Sequence, residues 1–143
     1  MTAWGRGRYQ IPDIRCQSLP NQQKSNRIGT SSYGKKRWCW SPTFYSLTKA
    51  FPREEVYGLT AQTRRAAASV PANIAEGQGR RLGREFHQFL GNARGSLMEL
   101  DTHLELALRV GYISIEQHTA IRAKLDEVGR VLNGLMRSIP TDI

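Results

Sequence analysis

The chain has 143 residues and a formal net charge of +9, a length that suits one domain with a real core. It holds no run of 18 or more apolar residues and no apolar segment behind its first basic residues, which argues against a membrane span and a signal peptide and leads us to expect a cytoplasmic protein. The charge is uneven: residues 1–42 carry eight Lys/Arg against one acidic residue, Asp13, whereas residues 43–143 carry thirteen against eleven.

Residues 1–41 read as an irregular basic tail. Gly, Pro, Ser, Asn and Gln dominate and no apolar period persists. All three tryptophans and both cysteines, Cys16 and Cys39, fall here. The cysteines lack C-x-x-C spacing and a nearby histidine, so reduced thiols are expected and no zinc site.

Helical periodicity starts near Ser41, and residues 42–143 are assigned to one bundle domain. Ser41-Pro42 has the form of an N-cap with an N1 proline. Trp40, Phe44, Leu47 and Phe51 then share one face of a short first helix ending near Ala50. A second helix is predicted from Pro52 to Glu76, with a seam of Val56, Leu59, Thr63, Ala66, Val70 and Ile74. Pro71 lies inside it as a kink, and Gly77 and Gly79 act as stops. The third helix, Gly83 to Val110, has a heptad seam of Phe86, Leu90, Ala93, Leu97, Leu100, Leu104 and Ala107. Gly91 and Gly95 within it are expected to let a neighbouring helix approach. The fourth opens on Ser114, with Gln117 completing a capping box, and buries Ile121, Leu125, Val128, Leu132, Leu135 and Ile139 before Pro140. Arg122 is placed on its outer face. The fold class is all-α: an antiparallel up-down-up-down four-helix bundle with a shortened first helix.

The stretch Phe51 to Gly79, FPREEVYGLTAQTRRAAASVPANIAEGQG, resembles the signature of the four helix bundle family of 23S rRNA-intervening-sequence proteins. Its matching pieces are Phe51-Pro52, Tyr57-Gly58-Leu59, Gln62, Arg64-Arg65-Ala66-Ala67 and Val70 to Gly77. The resemblance continues through Phe86, Phe89-Leu90, Gly95-Ser96, Glu99-Leu100, Ala107 and Gly111-Tyr112-Ile113, and covers residues 45 to about 138. It implies a bundle that assembles as a ring-like homopentamer and has no known catalytic activity. It also points towards RNA, because related bundles accompany the reverse transcriptases of diversity-generating retroelements. The chain departs from the family at its N-terminus, where only Tyr45 to Ala50 looks like the end of the long family helix. The sharp change of composition there suggests that unrelated sequence replaces the native first helix; a genuine basic tail is the alternative.

No catalytic constellation is present: no G-x-S-x-G, no P-loop and no H-E-x-x-H. His87, His103 and His118 lack histidine partners at helical spacing and are expected to be exposed. No cofactor, metal or small-molecule substrate is implied. A polar stripe of Gln62, Arg65, Ser69, Asn73 and Glu76 runs along the second helix, and Asn92, Ser96, Glu99 and His103 along the third. We read these as a structural network with an Arg65–Glu99 ion pair; a ligand groove is the competing reading. The nucleic-acid candidates are Arg80, Arg81 and Arg84 in the turn after the second helix, joined by Arg64 and Arg94 on the surface. Arginine's planar fork suits phosphate. No aromatic residue is expected beside them, so binding would follow shape and charge. Structured RNA and further copies of the chain are the expected partners, with a protein partner in a scaffold role as the alternative.

Overall fold

The computed structural model describes residues 41–141. Four α-helices make up the described chain: α1 (Ser41–Thr48), α2 (Leu59–Gln78), α3 (Gly83–Arg109) and α4 (Ile115–Ser138), with a 3-10 helix over Arg53–Val56. No strand occurs among the described residues. The expected tail, with Trp4, Trp38, Trp40, Cys16 and Cys39, lies outside them.

The long helices follow their apolar periods. All the α3 seam residues from Leu90 to Ala107 are buried, and Phe86 packs against them half-buried. From α2 come Ala66, Ala67, Val70 and Ile74, and from α4 Ile121, Leu125 and Leu132. Phe44, Leu47 and Phe51 complete the core from the N-terminal side, Phe44 being only 1% exposed. Across α2 and α3, Gly77 lies against Phe86 while Ser69 bonds Ser96. Across α3 and α4, Gly83 lies against Pro140 while Asp101 pairs with Arg122. Pairing late residues of one helix with early ones of the next is what antiparallel neighbours produce.

The helix ends depart from expectation in instructive ways. The second helix does not run unbroken from Pro52. The chain forms the 3-10 helix, turns at Tyr57-Gly58, and restarts at Leu59. Glu55 causes the restart: its Oε2 accepts the Leu59 backbone N–H at 2.8 Å and so satisfies a donor at the start of α2. A Cβ on Gly58 would meet that carboxylate oxygen at 2.5 Å, so a larger residue there would push the Glu55 carboxylate off its place. Val56, left on the 3-10 helix, is exposed rather than part of the seam. Ser41 is not a cap; its hydroxyl donates to the Ala67 carbonyl at 3.0 Å and ties α1 to α2. Pro71 is buried inside α2, which continues to Gln78. At α3's end Gly111 has φ 81°, and the Tyr112 N–H reaches back to the Ala107 carbonyl at 2.9 Å. The Ser114–Gln117 capping box at the start of α4 is complete.

The glycines exchange roles. Gly77, expected as a stop, is buried inside α2, and a Cβ there would lie 2.6 Å from Phe86 and 2.9 Å from Phe89. Gly91 and Gly95, expected at a close approach, face open space within the chain. Arg122 is not a bystander on an outer face. It pairs with Asp101 of α3 at 3.0 Å and with Asp126 of its own helix at 3.4 Å.

Candidate nucleic-acid interface

The turn between α2 and α3 presents Arg80, Arg81 and Arg84, all exposed. It is held from two sides. Gly79 and Arg80 donate their backbone N–H groups to Glu76 and Gly77, and Gly83 sits so close to the Pro140 carbonyl that only glycine fits. This second contact brings the end of α4, with the exposed Arg137, to the same end of the bundle.

The three clustered arginines differ. Arg80 donates to Glu76 Oε1 at 2.7 Å and lies over the Phe89 ring at 4.8 Å. Its charge is thus paired, and an aromatic ring does stand beside the cluster, covered by that guanidinium. Arg81 and Arg84 have no acidic partner among the described residues and are open to phosphate. Arg94 is likewise exposed and unpaired, farther along α3.

Arg64 stands apart from this group. Its Nε donates to Thr48 Oγ1 at 2.8 Å, and the guanidinium lies 5.4 Å from the Tyr45 ring centre. Thr48 in turn donates to the Phe44 carbonyl at 2.9 Å. Arg64 therefore clamps α1 onto α2. Arg137 is the residue that sequence reading missed: its separation in the chain hides a proximity that only the antiparallel return of α4 creates.

The polar stripes meet between α2 and α3. The Ser69 and Ser96 hydroxyls are 2.9 Å apart, and Asn73 Nδ2 donates to the Ser69 carbonyl and hydroxyl. Gln62 and Arg65 are exposed, and Glu76 holds Arg80. The Arg65–Glu99 pair does not form; Glu99 faces His103 Nε2 at 3.7 Å. His103 is not an exposed histidine but a buried one, 8% exposed, and burial holds it below the usual imidazole range despite the neighbouring Glu99. His118 is half-buried against Glu105 at 3.3 Å. Among the described residues no group of three or more His, Cys, Asp or Glu is placed to hold a metal ion, and no helix is long and apolar enough to cross a membrane.

Residues 40–134 match the family described as 23S rRNA-intervening sequence protein. The fold is similar to a crystal structure from Bacteroides thetaiotaomicron of a protein of unknown function from the S23 ribosomal protein family. The two are 24% identical, with a TM-score of 0.66 over 72% of this chain and 96% of that one. No curated protein matches the chain.

Proposed function

Because the chain belongs to the 23S rRNA-intervening sequence protein family, we propose that it is a non-enzymatic, self-associating helical bundle that binds structured RNA through the arginine-bearing end of the bundle. The observation carrying this reading is the pair of exposed guanidinium groups of Arg81 and Arg84, without an acidic partner among the described residues, on a turn braced by α2 and by the chain just after α4. Arg80 and Arg137 stand at the same end, and Arg94 extends the surface along α3. Arginine forks carried on a held turn can each pair with phosphate oxygens through two parallel hydrogen bonds. The nearby Phe89 ring is already covered by Arg80, so contacts go to the backbone rather than to stacked bases.

The assembly we propose is a homopentamer, as the family resemblance implies. Met98 supports self-association, since it is exposed on α3 at helical spacing from Gly91 and Gly95, which leave open space beside it. Five copies would repeat the arginine cluster and add weak contacts through avidity. That same open face also favours a second reading, a scaffold that binds a protein partner.

The test is a salt titration of structured-RNA binding by the full chain and by a chain beginning at Ser41, which lacks the basic segment. Arg81→Glu with Arg84→Glu in the shorter chain should abolish most binding while helicity and sedimentation stay unchanged. Each lost phosphate contact should flatten log affinity against log salt by roughly 0.7–0.9. If the shorter chain fails to bind RNA at low salt, the scaffold reading replaces this one.

A further inference from the structure

At the other end of α2, an open groove of about 340 Å³ lies between α2 and α3, and nothing in the RNA reading uses it. Its polar lining consists of Glu55, Gln62, His103 and Tyr112, and Leu59, Leu106 and Val110 supply apolar wall. Glu55 is fixed in place by two donors, the Leu59 N–H on Oε2 at 2.8 Å and the Tyr112 hydroxyl on Oε1 at 2.9 Å. Those bonds hold its carboxyl below the usual range, so it is ionised at neutral pH. Yet no Lys or Arg pairs with it among the described residues. Each carboxylate oxygen keeps a second lone pair.

The rest of the lining points to the same kind of occupant. His103 is buried, with Nε2 3.7 Å from Glu99 and an Nδ1 shut away from the groove without a partner, so it brings no cation to the lining. The Gln62 side chain can accept as well as donate, and the Tyr112 oxygen keeps acceptor capacity while its O–H is given to Glu55. The lining contains no cation, so an anion would meet an unscreened carboxylate. A purely apolar guest would strip water from Glu55 without replacing it. A cation on an alkyl stem satisfies both the charge and the walls.

We propose that this groove binds an alkyl-guanidinium or alkyl-ammonium group, its cationic head on Glu55 and its stem against Leu59, Leu106 and Val110. The ligand class is that of an arginine or lysine side chain, free as a small amine or carried by a protein. The site is independent of the arginine cluster, so its failure would leave the RNA reading untouched.

The experiment titrates the full chain with agmatine and, separately, with N-acetyl-arginine-amide, following heat and the His103 ring resonances. Saturable binding that shifts those resonances is expected. Glu55→Gln should weaken it roughly tenfold or more, the loss expected for a hydrogen bond to a charged group. Leu106→Lys, at an exposed wall position, should abolish it by supplying the chain's own ammonium, with helicity unchanged. Binding of agmatine alone would identify the occupant as a free amine, and binding of the capped arginine alone as a protein side chain. If neither probe saturates, or if Leu106→Lys binds both as wild type does, the proposal is overturned. A folded Glu55→Gln variant with full affinity overturns it equally.

Discussion

His103 shows how one residue escapes the usual reading of its type. A histidine among Leu and Glu on a helix suggests a solvated side chain, yet this one is buried, with Glu99 on its own helix and Glu55 across the same groove. Burial lowers its pKa, outweighing Glu99, which acts the other way. The sign of the pH effect follows. The unfolded chain protonates this histidine as pH drops through about 6.5, whereas the folded chain resists until lower pH. His103 therefore favours folding fully above about 6.5 and progressively less as pH falls towards its folded value. Urea midpoints at pH 7.5 and pH 5.5 should show the loss, and His103→Leu should shrink it. An undiminished pH dependence in that variant would move the effect to another group. Arg122 is a second such residue. It joins Asp101 across α3 and α4, but both partners are partly exposed, so Arg122→Ala should cost no more than about 1 kcal/mol in chemical denaturation.

At the scale of an element, the glycines separate helix grammar from helix packing. Gly77 packs directly against α3, and a methyl group there would collide with Phe86 and Phe89. Gly77→Ala should destabilise by about 1–3 kcal/mol, the usual range for overpacking. Gly91 and Gly95 have open space around them inside the chain, so each pays the helical cost of glycine with no intramolecular return. Gly95→Ala should raise stability by roughly 1 kcal/mol in urea unfolding. Should it instead lower stability in a concentration-dependent way, a second copy packs on that face. Opposite effects at two glycines of one bundle are a sharp check, because helix propensity alone predicts that both changes stabilise.

For the whole molecule, the core is shared between the three long helices and the short α1. Leu100 is fully buried mid-seam, and Phe44 brings the largest buried side chain from α1. Leu100→Ala should cost about 2–5 kcal/mol and Phe44→Ala about 3–5 kcal/mol by thermal or chemical unfolding. Lys124→Ala, exposed on α4, should stay within about 0.5 kcal/mol. A small effect at Phe44 would mean that α1 is a dispensable appendage, in conflict with its Ser41–Ala67 and Thr48–Arg64 bonds. The arginine-bearing end and the Glu55 groove sit at opposite ends of a 20-residue helix, about 30 Å apart by helical rise. One molecule thus has room for an anionic and a cationic partner at once.

The sequence by itself determined the helices, because apolar spacing is a local, repeated signal. Leu90 to Ala107 in α3, the Ser114–Gln117 box and the Arg80–Arg84 turn all follow from neighbours in the chain. Its YGL and VPANIAEG motifs likewise carried the family resemblance. Only the tertiary structure decided which polar residues are spoken for. Arg64 is spent on Thr48, Arg80 lies over Phe89 of the next helix, and Arg65 and Glu99 form no pair across α2 and α3. Arg137 joins the basic end, and Glu55 meets Tyr112, only because helices distant in sequence return antiparallel. Periodicity tells which side of a helix is buried; what a long polar side chain reaches depends on the neighbouring helix, and that information is spread over the whole chain.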